Sequence, residues 1–515
     1  MRHKNLTSLF LLATLLLATL CATQAIAEEP DSLTVTYSRH GTAPGATHRT
    51  LAIIDLSGAQ NSPEISVELL GETSQFVSSY RILLSDSLAT RDLDDYRGRI
   101  TYRAFPCDDP HHIKLTAPQF KAGRYLYLTA DIRPEISAEE LPRIGVRVSE
   151  IRSQGQELPI REVNRGDRTI YPIYQTLFVP GDTGSRNFRI PALIRTRRGT
   201  LIAVADRRKN NDRDLPEDID IILRRSTDGG KSWSVPQIVV EGKGYEKGFG
   251  DAAVVECRSG KLLMVFVGGR GFWESTSTDS NRTYLCESTD DGITWSKPRD
   301  ITPMIFGADC PDPVRKQWRS SFFASGKGLC TREGRIIFVA AIRENDRWSA
   351  NNYAFFSDDE GESWHISTKA FDGGDEAKVA ELPNGDLLMS IRNKHHGDRF
   401  FAVSHDHGET WTGTARYAGL FDPAVNGAPL VIRYGEKDYL LHSLPAGPGR
   451  RNGLIRAFDL YEWKWISTFL ANPGPSAYSD LILLDDDHLG YFMEEDWEMS
   501  LIFYKIPLRA VLKEE

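Results

Sequence analysis

Cysteine is scarce in this chain, with six in 515 residues. Beyond Cys21, the other five (Cys107, Cys257, Cys286, Cys310 and Cys330) are scattered and show no CxxC spacing. That excludes a disulfide framework or a zinc module. Buried free thiols are the expectation, although an oxidising compartment would permit one bridge. Positive charge is also in deficit. The 62 Lys+Arg against 71 Asp+Glu leave a net charge of −9, so no basic field is available to neutralise a nucleic-acid backbone. A local arginine cluster can still hold a small anion. No HExxH, Walker or Rossmann fingerprint occurs, and no cofactor or metal is expected. The HxH pair His405 and His407 falls inside a turn repeat and reads as turn filler. After residue 27 no apolar run is long enough for a membrane helix, and long helical periodicities are missing.

What is present begins with a secretory pattern. Arg2, His3 and Lys4 precede an apolar stretch from Leu9 to Leu20, and Ala25-Ile26-Ala27 offers a small-x-small cleavage site before Glu28. Residues 1–27 are therefore expected to be a signal peptide and the product to be exported, whether periplasmic, cell-surface or secreted. Hydrophobic residues at 40% and charged residues at 26% describe an ordinary globular chain.

From Ser32 to about Ile160, short stretches such as Ser32–Tyr37, Ile65–Leu70 and Ile144–Val148 alternate apolar and polar residues between turn residues. Period-two patterning at this rhythm predicts an antiparallel β-sandwich over about 28–165. The polar stretch Arg161–Thr169 reads as a linker. After Tyr171 a repeat appears, Ser-x-Asp-x-Gly-x-(Ser/Thr)-Trp, at Ser226–Trp233, Ser288–Trp295, Ser357–Trp364 and Ser404–Trp411. A degenerate fifth copy lies near Asp459 and Trp465. Each intact copy follows a strand-like run. The Asp carboxylate suits the backbone N–H groups of its own turn, Gly supplies positive φ, and Trp offers an apolar face to bury against the next unit. Residues 171–515 number 345, about 58 for each of six units, which suits a four-stranded propeller blade. The predicted fold is all-β, a six-bladed β-propeller behind a smaller β-sandwich.

With Phe188-Arg189-Ile190-Pro191 ahead of the first repeat, residues 171–515 resemble the bacterial exo-sialidases (neuraminidases), which combine a Phe/Tyr-Arg-Ile-Pro motif with several such Asp boxes. The resemblance implies sialylated glycans as substrates. It also implies that the Asp boxes lie on outer turns away from the site, and that three arginines hold the substrate carboxylate: Arg189, Arg392 and Arg451, with Arg450 as rival for the third place. It further implies Arg208 as an accessory substrate arginine, Asp214 as general acid/base with Asp212 as competitor, and Tyr478, in Tyr478-Ser479-Asp480-Leu481, as nucleophile. Glu376 is the implied base beside Tyr478, with Glu381 structural. Glu494 is implied to orient the first arginine, and Asp251 to contact a substrate hydroxyl. A neutral phenol avoids the repulsion that a second carboxylate would meet from an anionic sugar, but it needs a base. The expected activity is retaining exo-α-sialidase. A trans-sialidase, a hydrolase of a related nonulosonic acid and a non-catalytic glycan-binding propeller are the alternatives. For the N-terminal region, a glycan-binding module and a buttress for the propeller both fit.

Overall fold

The computed structural model describes residues 32–59, 62–447, 449–495 and 500–513. The expected signal segment lies outside them. Among the described residues no helix is long and apolar enough to cross a membrane, and the chain is built almost wholly of strands.

The N-terminal region forms two sheets. The first runs in the order Ile160–Val163, Leu33–Tyr37, Arg49–Asp55, Tyr125–Ile132, Val77–Ser85 and Arg103–Pro106. The second joins Arg168–Thr169, Arg143–Ser153, Glu64–Leu70 and His112–Lys114. Alternation buries one face of each sheet: Leu33, Val35 and Tyr37 point inward from one strand, Ile65 and Val67 from another. The inward residues of both sheets, among them Ile54, Leu128, Val146 and Ile151, meet in one core.

The stretch 161–169 is not a loose linker. Ile160–Val163 pairs in parallel with Leu33–Tyr37, and Arg168 is fully buried. Its guanidinium donates to both oxygens of Asp92 at 2.6 and 2.7 Å, to Thr50 O at 2.7 Å and to Gly41 O at 2.8 Å. The charge that reads as solvated in the sequence is an internal counter-ion.

Beyond residue 171, strand pairing among the described residues yields six four-stranded antiparallel units, some with short extra strands at their edges. The first comprises Asn187–Arg195, Leu201–Arg208, Ile219–Ser226 and Gln237–Val240. The 22-residue strand Lys464–Asp485 serves two units, because its first part pairs with Arg451–Asp459 and the part from Ser476 pairs with His488–Glu495. The last unit is completed by Ile173–Phe178, which pairs with Ser500–Pro507. Asn187–Arg195 packs against both Phe249–Glu256 and Lys464–Asp485. First and last units therefore meet, and the β-propeller ring closes without a free edge between them.

The four Asp boxes share one geometry. In the first, Asp228 Oδ1 accepts from Ser226 Oγ at 2.8 Å and Ser232 N at 2.9 Å, and Oδ2 accepts from Ser232 Oγ at 2.5 Å. These bonds hold the carboxyls of Asp228, Asp290, Asp359 and Asp406 down at about 2. The box glycines approach the preceding unit, not the next one. A Cβ on Gly230 would strike Phe503 and one on Gly361 would strike Leu263. Trp233 follows the same direction, its ring centroid 5.2 Å from that of Phe503. At the degenerate copy, Asp459 Oδ1 accepts from Tyr461 N and Glu462 N, both at 2.8 Å, so the turn chemistry persists without the motif.

Candidate active site

The opposite ends of the same strands carry the chemistry. In the first unit Leu201 pairs with Ser226 of the box, whereas Arg208 pairs with Ile219. Seven residues separate Leu201 from Arg208, about 23 Å at about 3.3 Å per residue. At this far end the inner strands break register. Pairing shifts between Arg189 and Ala192, between Gly250 and Ala253, and between Ser476 and Ser479. Two residues there take left-handed backbone, Ile190 at φ 63° and Asp251 at φ 56°. For a β-branched residue such as Ile190 this is strained, and surrounding bonds must hold it. Ile190 N donates to Glu494 at 2.8 Å, and Asp251 N donates to Asp206 at 3.1 Å. The bulges aim side chains into a cavity of about 300 Å³ lined by Asp214, Asp251, Glu376, Arg392 and Tyr478.

Tyr478 lies at the centre and is buried. Its hydroxyl donates to Glu376 Oε2 at 2.7 Å and accepts from Arg392 Nη1 at 2.9 Å. Arg392 also donates to Glu376 Oε2 at 2.6 Å. Burial raises the phenol above its ordinary range; the charge of Glu376 adds to this, and Arg392, Arg450 and Arg189 oppose it. Burial, with Asp375 adding to it, also raises the Glu376 carboxyl despite Arg392. A protonated phenol thus faces a carboxylate of increased basicity, the pairing that proton transfer requires. Glu381 lies elsewhere, accepting from Arg332 N at 2.8 Å and Arg332 Nε at 2.9 Å.

Glu494 is fully buried. It receives Arg189 in a fork, Nε to Oε1 at 3.1 Å and Nη2 to Oε2 at 3.2 Å, and accepts from Tyr478 N at 3.1 Å. One carboxylate therefore fixes an arginine, the strained Ile190 peptide and the tyrosine strand together.

The structure corrects one assignment. Arg451 is exposed and lies in a separate cleft against the N-terminal sheets. Arg450 instead places its guanidinium 5.3 Å from the Tyr478 ring centroid, close to the 5.1 Å of Arg189. Alternation did not decide between them because Arg450 precedes the strand, which begins at Arg451. Arg450 has φ 55° in the turn, and its Nη2 is anchored on Ala424 O at 2.8 Å.

Asp214 sits at the mouth with 70% of its side chain exposed and is held by Arg208 at 2.5 Å. Partial burial would raise its carboxyl, but Arg208 and Arg189 outweigh that and hold it below its ordinary value. Asp212 is exposed and meets Arg208 only through its backbone oxygen. Arg208 itself is buried and lies 3.5 Å from Asp206.

Asp206 did not emerge from the sequence. Burial pushes its carboxyl up to about 7, with Arg208 opposing and Asp214 adding to it. The neighbouring Asp251 is raised well above its ordinary value by burial and by the charges of Asp206, Asp214 and Glu376. Phe272, Trp273 and Phe322 also line the cavity unannounced. They carry no motif, and only their place after Asp251 hints at the site.

The BNR repeat-like domain family matches residues 199–489. A sialidase from Bacteroides fragilis is 31% identical over 359 residues, covering 65% of this chain and 64% of its own length. One from Clostridium perfringens is 30% identical over 287 residues, covering 53% of this chain and 71% of its own. Against the first two curated relatives, the Bacteroides and Micromonospora viridifaciens sialidases, the chain spans 64% and 52% of their lengths. Among solved structures, Hadza microbial sialidase Hz136 superposes with a TM-score of 0.72 at 25% identity, over 93% of this chain and 100% of its own. The matched repeats, the shared ring and the chain-wide superposition agree, and the chain belongs to the bacterial BNR-repeat sialidase family.

Proposed function

We propose that this protein is a retaining exo-α-sialidase that releases terminal α-linked sialic acid from glycoconjugates. The observation that carries the reading is the Tyr478 hydroxyl set between Glu376 at 2.7 Å and Arg392 at 2.9 Å. Glu376 takes the phenolic proton while Tyr478 Oη attacks the anomeric carbon, and Asp214 protonates the departing oxygen. Asp214 then deprotonates the water that releases the sugar from Tyr478. Arg189, Arg392 and Arg450 converge on the tyrosine and supply three positive charges for a substrate carboxylate and an oxocarbenium-like transition state. Burial opposes the charged form of Asp214, but Arg208 and Arg189 outweigh it and hold the carboxyl below its ordinary value. An arriving substrate carboxylate offsets those arginines and lets Asp214 hold the proton it must donate. Asp251, its carboxyl raised well above the ordinary value by burial and by Asp206, is placed to meet a sugar hydroxyl. Following the first-formed anomer of free sialic acid by NMR tests the mechanism. Initial release of the α-anomer supports the tyrosine intermediate, and initial release of the β-anomer would exclude it.

For the N-terminal unit we favour the buttress role. Glu495, adjacent to Glu494 on strand His488–Glu495, faces away from the site. It receives Arg91, His40 Nδ1 at 3.1 Å and Tyr174 Oη at 3.1 Å. Arg91 and His40 belong to the N-terminal unit, so that unit clamps the strand that positions Arg189. Export to the periplasm, cell surface or medium is proposed from the N-terminal sequence pattern alone.

A further inference from the structure

A second cleft, of about 330 Å³, lies between the N-terminal unit and the propeller. Arg39 and His40 reach it from one side, Arg451 and the loop 473–475 from the other. Arg39 and Arg451 make no ion pair with any described residue, and Arg39 Nε is buried without an acceptor. Burial, then the charges of Arg143 and Arg451, hold the Arg39 guanidinium below its ordinary value. The two arginines therefore repel each other across the cleft with no acid between them. His40 lines the same cleft, its Nε2 2.8 Å from Thr90 O and its Nδ1 3.1 Å from Glu495; burial opposes the charged ring, but Glu495 outweighs it and raises the imidazole above its ordinary value.

The nearby acids are already engaged. Asp92 holds Arg168 at 2.6 Å and Arg49 at 3.0 Å, and Asp95 lies 3.6 Å from Arg49. Glu495 holds Arg91 and His40. The remaining wall is mixed: Pro473, Pro475 and Leu88, the last 57% exposed, supply apolar surface, and Ser38, Thr90 and Asn164 supply hydroxyl and amide groups. Arginines without an ion pair beside a wall that mixes proline faces with hydroxyl and amide groups suit a ligand with a carboxylate at one edge and a hydroxyl-bearing carbon ring behind it.

We propose that this interdomain cleft binds a carboxylate-bearing sugar, its carboxylate between Arg39 and Arg451 and its ring face against Pro473 and Pro475. The site is separate from the cavity at Tyr478 but shares a turn with it. Arg450 points to Tyr478 while the next residue points into the cleft, and Ser476 N donates to Arg450 O at 2.9 Å. An isolated N-terminal unit lacks Arg451 and cannot form the cleft site.

The test is calorimetric titration of the full chain with N-acetylneuraminic acid and, separately, glucuronic acid, comparing wild type with Arg39→Gln and Arg39→Glu. Arg39 holds no ion pair among the described residues, so both variants fold; Arg39→Glu places a carboxylate where the ligand's would sit. The expected result is two equivalents of N-acetylneuraminate on wild type and one on either variant. Turnover of a 4-methylumbelliferyl sialoside stays within about twofold, since Arg39 is outside the reacting site. Glucuronate binding that is lost with Arg39 assigns the cleft to carboxylate sugars generally. Its failure to bind, with N-acetylneuraminate still lost, narrows the ligand to a sialyl unit. Equal stoichiometry for both sugars in wild type and variants overturns the proposal. Absence of turnover in wild type would count against the sialidase reading and leave the Arg39 comparison intact.

Discussion

Each propeller strand has two unlike ends. At the box end Asp291, Glu360 and His407 also take left-handed backbone, but every box Asp is satisfied by its own turn, and tryptophan and glycine seal one unit to the preceding one. At the site end pairing slips, Ile190 and Asp251 sit in left-handed backbone, and burial raises the neighbouring carboxyls of Asp206 and Asp251. The contrast shows a division of labour: the repeat closes each turn on its own bonds and stabilises the ring, while the other end holds register slips and like-charge pairs.

Four experiments break or sharpen that division. The largest effect is expected from Glu494→Ala. It strips Arg189, Ile190 N and Tyr478 N of their shared acceptor, and kcat/KM should fall about 10³-fold or more. Steady-state kinetics on the purified variant checks this. Next, Arg450→Ala should raise KM for a sialoside about 10²-fold, with a much smaller change for Arg451→Ala, since only Arg450 reaches Tyr478. Equal effects would return Arg451 to the site.

At the other end, Trp364→Ala should cost about 3–5 kcal/mol by leaving a cavity between units. Its Tm should drop while kcat, assayed well below the transition, holds. The smallest effect concerns pH. Asp206 has its folded pKa raised from 3.8 to about 7, so the folded state binds this proton more tightly than the unfolded chain. The group's contribution to stability is full below about pH 4 and is lost as pH rises to about 7. Asp206→Asn should flatten the Tm–pH curve in that window, as read by calorimetric scans.

Much of this was legible in the sequence, for physical reasons. Asp boxes work through bonds inside eight residues, so four copies announce the all-β repeat without tertiary information. Arg189, Glu376, Arg392, Tyr478 and Glu494 also carried motif context, and the structure brings them together around one cavity. What was not legible depended on backbone geometry or on distant partners. Arg450 reaches the tyrosine because a left-handed turn precedes the strand, which no alternation rule describes. Arg168 reads as a solvated linker charge because its partner, Asp92, is far away in sequence. Asp206 looks like one more charge of a polar strand end until Asp251 is seen beside it. Glu494 and Glu495 resemble an acidic loop, yet they alternate on one strand, one toward the site and one toward the N-terminal unit.

The most direct test of the account is turnover of a 4-methylumbelliferyl α-sialoside by Tyr478→Phe beside wild type, with Tm measured on both. Losing one hydroxyl that bonds Glu376 and Arg392 should cut kcat about 10³-fold or more and leave the ring folded, with Tm close to wild type. Turnover near wild type in the folded variant would contradict the account, because the chemistry would then not pass through Tyr478.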